Sequence, residues 1–388
     1  MEATEYRKLQ LAAVTGYSGT SEREILLITS WPLFALLLWH LYFEALADSL
    51  HSTMAKWLVE FLLFLVPQIV LFLFPQYASA LIMVSLLYVV VLVGRRSSGS
   101  RTARYNAIHK TTGQDPAVTN ARASIMSMCT LGILAVDFRA FPRRFVKTET
   151  FGTSLMDVGV GTVVFSMGMM SARHWINLKT RPVTLLGRLF HAMKSTLPLF
   201  VLGLLRMLLV KGVNYQEHFS EYGIHWNFFV TLGALPILMT LFLEFFSLQS
   251  SFHLGLGLCS LYQACLSRSG LQEFLFSSHR TGLIAMNKEG IVSLVGYFGL
   301  TLMSLAVGVQ VFTFKNRDRG RFYTRLATMM LILGLVYCSC KHYFYILPSR
   351  RLVCIQDMMN GPLQVARSIF PLPLSVFCFR LLNSWPWK

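Results

Sequence analysis

Residues 135–161 read AVDFRAFPRRFVKTETFGTSLMDVGVG. An apolar run, LGILAVD, enters this stretch, and a second apolar run leaves it. Between them stand Asp137, Arg139, Arg143, Arg144, Lys147, Glu149 and Asp157. Two apolar runs of spanning length around a charged loop describe a chain that crosses a bilayer and returns. Charge at membrane depth is costly, and groups retained there usually face a cavity or a partner.

The whole composition agrees. Of 388 residues, 54% are hydrophobic and 14% charged, with mean hydropathy +0.53. A soluble domain of this length needs more polar surface, so the class is a polytopic membrane protein. The net charge of +17 is no argument for nucleic acid in such a chain. It fits basic loops facing anionic lipid, and equally an attraction to phosphate-bearing substrates. The seven cysteines are scattered; Cys129, Cys259, Cys265, Cys338 and Cys340 lie in apolar runs and read as buried thiols. The first 24 residues are polar and mixed in charge, so the first span is expected to be its own insertion signal.

Runs of about 17–25 apolar residues place spans at 25–46, 57–74, 77–94, 122–137, 155–171, 196–213, 226–247, 250–266, 291–314 and 324–347. The expected fold is therefore all-α, a polytopic transmembrane helical bundle of about ten spans. Residues 1–351 form the membrane-embedded domain. Residues 352–388 form a divergent tail broken by Pro371 and Pro373, expected to be truncated or atypical. No internal repeat is visible, which leaves an inverted-repeat transporter without support.

Lys and Arg set the orientation. They crowd into 95–122, 172–195 and 315–325, which places those segments in the cytoplasm. The N-terminus, 138–154, 214–225 and 267–290 then lie on the opposite side. Loop 214–225 has no Lys or Arg, as that side requires. Loop 138–154 carries four, Arg139, Arg143, Arg144 and Lys147, against the rule. Those cations read as retained for a task rather than for topology.

Three polar clusters share that side. In the first, Asp137 ends an apolar run and is either a cavity-facing carboxylate or a helix end in headgroups. Lys147 follows ten residues later; on one helix it would sit about 80° around and about 15 Å along. Pro142 interrupts the helix and lets the chain double back. Arg143 and Arg144, flanked by Phe141 and Phe145, match phosphate oxygens by their forks, or snorkel to headgroups. The second cluster, YQEHFSEYGIHWNFF (215–229), offers His218, Glu221, His225 and Asn227. It lacks the H-E-x-x-H spacing of a zinc helix, so hydroxyl binding or orientation of a base is the expectation and no metal is assigned. The third, HRTGLIAMNKEGIVSLVGY (279–297), sets Asn287, Lys288 and Glu289 before a span, as electrostatic caps or as substrate contacts.

With these residues in view, the chain resembles the glucosaminyl-phosphatidylinositol inositol acyltransferases, the PIG-W family of GPI-anchor biosynthesis. The resemblance rests on ILAVDFRAFPRRFVKTETFGTSLMDVGVG, YQEHFSEYGIHWNFF and MNKEGIVSLVGY, in that order, and covers roughly residues 20–351. It implies a multi-pass enzyme of the endoplasmic reticulum membrane, acting at the lumenal side. The implied reaction moves a fatty acyl group, typically palmitoyl from acyl-CoA, to the inositol of GlcN-PI. Acyl-CoA is then a co-substrate and no resident cofactor is expected; the partners are the glycolipid, acyl-CoA and the bilayer.

Such a transfer needs a base, a donor near the oxyanion and a low-dielectric site. Asp137 is the expected base, and Lys147 either keeps it ionised or stabilises the oxyanion. Arg143, Arg144, Thr148, Glu149, Asp157, His218, Glu221, His225, Asn227, Asn287 and Glu289 are the expected substrate contacts. His218 and His225 are rival bases. No G-x-S-x-G occurs, so direct transfer without an acyl-enzyme is the simpler expectation. A secondary transporter and an inactive, truncated family member are the alternatives.

Overall fold

The structure is a computed structural model, and it describes residues 16–46, 52–94, 116–178, 183–212, 219–314 and 319–349, with Glu5, Leu352 and Val353. Ten long helices follow one another: α1 (Glu22–Leu46), α2 (Met54–Leu73), α3 (Ala78–Gly94), α4 (Pro116–Ala135), α5 (Leu155–Leu178), α6 (Leu185–Gly212), α7 (Phe228–Phe245), α8 (Ser251–Arg268), α9 (Lys288–Phe314) and α10 (Arg319–His342). Each expected span overlaps one of them, and no strand occurs among the described residues. Six, α2, α5, α6, α7, α9 and α10, are long and apolar enough to cross a membrane by length and composition. The 17 residues of α3 reach about 25 Å at 1.5 Å per residue, just short of a bilayer core of about 30 Å. The α6 helix begins at Leu185, eleven residues before the expected span start at 196. His191, Lys194 and Ser195 end the apolar run there, but nothing in them breaks a helix. Of the tail expected at 352–388, everything beyond Val353 lies outside the described residues.

Contacts divide the chain into two compact units. The first comprises residues 1–19, 147–153 and 160–363. Its centre is α9, which packs against α7, α8 and α10. Small residues set the closeness of this packing. A Cβ on Gly255 of α8 would lie 2.7 Å from Gly299 O, and one on Gly308 of α9 would lie 2.2 Å from Met169 O of α5. Without a hydrophobic drive between helices in lipid, such close backbone approach supplies the van der Waals contact that holds them. Gly168 and Gly299 make approaches of the same kind. In the same unit α6 packs along α7.

Among the described residues, the second unit comprises 20–46, 52–94, 116–146 and 154–159. Here α1 packs on α2 and α3, and α2 touches α4. Residues Phe61–Leu65 of α2 form a π-turn, followed by Pro67. Proline removes the N–H that Leu63 O would accept in a regular helix. The indole Nε1 of Trp31 supplies the replacement at 3.2 Å. One turn on, Gln68 is buried, and neither amide atom has a hydrogen-bond partner among the described residues.

Candidate functional site

In the first unit, loop 147–153 is held on both sides by extended chain. Glu149 N donates to Tyr17 O (3.2 Å), and the Glu149 carboxylate accepts from Gly16 N (2.8 Å). An isolated bridge pairs Gly19 with Thr153. Gly152 N donates to Pro348 O (2.9 Å), and the Ser349 hydroxyl donates to Thr150 O. This crossing requires glycine twice. Gly19 and Gly152 take φ of +85° and +121°, and a Cβ on Gly152 would stand 1.9 Å from Ser18 O. Thr148 is fully buried inside the crossing. Thr148 and Glu149, expected substrate contacts, are thus built into the scaffold of the loop.

At the head of that loop the Lys147 ammonium pairs with the Glu221 carboxylate at 2.5 Å. Glu221 stands on a one-turn helix, Phe219–Tyr222. Both side chains are partly accessible, 36% for Lys147 and 18% for Glu221. The sequence set these two residues 74 positions apart and nominated each separately; only the fold joins them. His218 lies outside the described residues.

The chain after Glu221 is fixed to the start of α9. Gly223, at φ +108°, passes within contact of Met286 O, so a Cβ there would clash. Ile224 N donates to Met286 O (3.0 Å), and His225 N donates to Asn287 Oδ1 (2.8 Å). Asn287 Nδ2 donates back to Leu283 O (2.9 Å). The His225 side chain is exposed. Asn227 caps α7: its Oδ1 accepts from Phe229 N and Val230 N, and its Nδ2 donates to Gly203 O at 2.8 Å. Glu289, 1% exposed, accepts both N–H groups of the Arg280 fork at 2.7 and 3.2 Å. Lys288 is fully buried and donates to Phe274 O, Ser277 O, Ser277 Oγ and His279 O. Of the two readings for Asn287 and Glu289, the structural one accounts for their polar atoms here. Arg280 was the partner that the sequence did not single out. The signal for it was the density of polar side chains just before an apolar run.

In the second unit, α4 ends at Ala135 and Asp137 stands in the turn beyond it, exposed. Arg143 Nη1 donates to Val136 O (2.9 Å), and Nη2 donates to Phe138 O (3.5 Å). Phe141 and Phe145 are 1% and 0% exposed. Their rings meet at a tilt with centroids 5.9 Å apart, and Phe141 meets Phe72 edge-on at 6.2 Å. They anchor the loop in the core of the unit. Arg144 grips Glu24 through Nε (3.1 Å) and Nη2 (2.8 Å). Burial alone would raise the Glu24 carboxyl. Hydrogen bonds from Arg144 and Thr20, with the Arg144 charge, outweigh it and hold the group below its usual range. The same bond to Glu24 raises Arg144. Glu24 was not anticipated, because the stretch before the first span had been read only for its polarity. Asp157 accepts from Ser154 N and Oγ (3.1 and 2.8 Å), while Ser154 Oγ accepts from Asp157 N: a reciprocal cap on α5.

The chain is 35% identical over 346 residues to the GPI-anchored wall transfer protein 1 of Aspergillus fumigatus, covering 83% of this chain and 68% of that protein. To the protein of the same name from Kluyveromyces lactis it is 33% identical over 357 residues, 90% of this chain and 77% of the other. The phosphatidylinositol-glycan biosynthesis class W protein of Dictyostelium discoideum is 36% identical over 260 residues, 57% of this chain and 52% of its own length. The chain spans about two thirds of the length of several such relatives. A family model described as GWT1 matches residues 6–359, a stretch that takes in the 16–19 crossing, both charged loops and the start of α9. Agreement over that much of the sequence means that the chain belongs to the GWT1 family.

Proposed function

We propose that this chain is an O-acyltransferase of GPI-anchor biosynthesis, moving a fatty acyl group from acyl-CoA to an inositol hydroxyl of GlcN-PI. In this proposal the site lies on the lumenal side of the endoplasmic reticulum membrane, opposite the Lys- and Arg-rich segments 95–122, 172–195 and 315–325. The observation that carries the reading is the family match through all three polar clusters, together with relatives named for phosphatidylinositol-glycan biosynthesis and GPI-anchored wall transfer.

The chemistry has three demands. The inositol oxygen attacks the thioester carbon as its proton leaves. The carbonyl oxygen becomes an oxyanion that a charged donor stabilises. The C–S bond breaks, and CoA leaves as a thiolate that takes up a proton. In this proposal the Asp137 carboxylate accepts the hydroxyl proton, and the Lys147 ammonium is the donor for the oxyanion. Glu221 holds that ammonium in place until the carbonyl arrives. His225 and Arg144 remain proposed contacts for the polyol and for phosphate.

The Lys147–Glu221 ion pair favours one second reading, in which Glu221 is the base, since its carboxylate is already seated beside a cation at 2.5 Å. Microsomes containing this chain, supplied with GlcN-PI and labelled palmitoyl-CoA, decide between them. The expected result is labelled acyl-inositol lipid, abolished by Asp137→Asn. A normal rate in Asp137→Asn with a silent Glu221→Gln transfers the base role to Glu221. Absence of labelled product from an abundant, membrane-inserted chain overturns the acyltransferase reading, and ion-coupled flux in its place would mark a transporter.

A further inference from the structure

We propose that Arg143 is a positioning residue for Asp137, bracing the turn that carries it, rather than a ligand for phosphate. This inference rests on the reading of Asp137 as the base. The two N–H groups of one guanidinium reach the carbonyls of the two residues that flank Asp137 in sequence, Val136 at 2.9 Å and Phe138 at 3.5 Å.

A turn just past a helix end is a poor place for a base unless something fixes it. Past Gly132 O, which still accepts from Val136 N (3.2 Å), the last carbonyls of α4 lose their regular helical donors. The backbone of the turn supplies Phe138 N to Ala135 O (3.0 Å) and Phe141 N to Phe138 O (3.2 Å). Val136 O is closed by the Arg143 fork. A cation at a helix C-terminus is also favoured by the dipole. Arginine suits this position: its planar fork holds two carbonyls in a fixed relative geometry, whereas a lysine would offer one rotating ammonium on a flexible stem.

The fork is itself held. Pro142 runs extended, and Arg143–Phe145 form a single 3-10 turn. The phenylalanines on either side of the two arginines, Phe141 and Phe145, are sunk in the core against each other and Phe72. A mechanical path therefore runs from core aromatics, through a short turn, to a guanidinium, and on to the peptides around Asp137. Arg144, next in sequence, is used differently: its fork is spent on Glu24 and its side chain is 47% exposed.

Kinetics separate positioning from phosphate binding. In microsomes supplied with GlcN-PI and palmitoyl-CoA, Arg143→Gln is expected to lower kcat by about 10- to 100-fold, the cost of a misplacement of about 1 Å. KM for both substrates should stay within about twofold, because no substrate contact is lost. Arg143→Lys keeps the charge, which suffices for phosphate, but loses the fork; its kcat should fall nearly as far. In an Asp137→Asn background Arg143→Gln should add no further loss. Amide exchange at 136–139 in Arg143→Gln, set against an unchanged melting temperature, reads the turn directly and does not depend on activity. A rise in KM for either phosphate-bearing substrate at unchanged kcat overturns the inference, as does wild-type behaviour of Arg143→Lys. A fully active Asp137→Asn overturns the base assignment first; an inactive Asp137→Asn beside a normal Arg143→Gln overturns this inference alone.

Discussion

Replacing Lys288 by methionine should loosen the loop before α9 by about two orders of magnitude without unfolding the bundle. Lys288 is fully buried, and its ammonium donates to Phe274 O and Ser277 O at 2.7 Å, Ser277 Oγ at 2.9 Å and His279 O at 3.3 Å. Methionine matches the stem in length and removes only the charge and the donors. Hydrogen bonds to a charged group contribute about 1.5–3 kcal/mol each. Phe274 O keeps the bond from Ser277 Oγ (2.7 Å), and His279 O makes the longest of the four bonds, so these two losses count for least. That leaves the two Ser277 oxygens, and a net loss of about 3 kcal/mol. Relief of a cation at the positive end of the α9 dipole offsets less than about 1 kcal/mol of this. At 1.4 kcal/mol per decade, the opening equilibrium of segment 271–279 rises about 100-fold. Amide exchange of the purified protein in detergent measures it: protection at 271–279 should fall by that factor, while α8 and the body of α9 keep theirs. Unchanged protection across 271–279 would refute the argument, because it would mean that the buried ammonium holds nothing in place.

Three other outcomes follow from single contacts. Folded-state depression of the Glu24 carboxyl gives a contribution that is present above the ordinary carboxylate pKa and lost as pH falls through the depressed value. Arg144 is nearly half exposed, so the effect is under about 1 kcal/mol, and the melting-temperature gap between wild type and Glu24→Gln should close on acidification. Gln68→Met, which removes a buried amide with no hydrogen-bond partner among the described residues, should raise stability by about 1–3 kcal/mol in a denaturant or thermal melt; a loss would show that the amide is satisfied in the protein. Gly152→Ala puts a Cβ 1.9 Å from Ser18 O at a φ of +121°, and should cost at least about 2 kcal/mol with raised exchange at 16–19 and 147–153.

Helices were legible in the sequence because each is a run of apolar residues, and a run is a local property. Ten helices overlie ten expected spans for that reason. Their ends were less legible. Residues Leu185–Ser195 are polar enough to stop a hydropathy window, but they contain neither proline nor glycine enough to stop hydrogen bonding, so α6 continues through them. Polar clusters were legible as clusters, since charge beside a span is conspicuous wherever it occurs. What each side chain does within a cluster was not, because the partner is supplied by chain far away: Glu221 for Lys147 from 74 residues on, Glu24 for Arg144 from 120 residues back. The glycine crossing at 16–19 and 147–153 had no local signature at all, since a tight approach of two backbones is a property of neither segment alone.

A consequence for the site follows from that division. A polar side chain near a membrane face can act on a ligand only with atoms that the fold does not already need. Asn227, Asn287, Glu289, Glu149 and Asp157 each spend hydrogen-bonding capacity on backbone or on an arginine, and in doing so fix loops 147–153, 222–227 and 280–288. Asp137, His225 and the Lys147–Glu221 pair differ, for they are partly or wholly accessible; His225 and Lys147 stand on segments that those bonds hold, and Asp137 on a turn that Arg143 braces. Preorganisation is what makes a charged donor worth several kcal/mol to a developing oxyanion, because a fixed dipole reorganises little during the reaction. The clamping residues therefore should affect rate through geometry, lowering kcat in proportion to the disorder they release, whereas the accessible ones should affect it through chemistry. Substituting Asn287 by Ala loosens the segment that carries His225 and is expected to lower kcat while leaving the pH profile where it was; a shifted profile would place Asn287 among the groups that touch the reacting atoms instead.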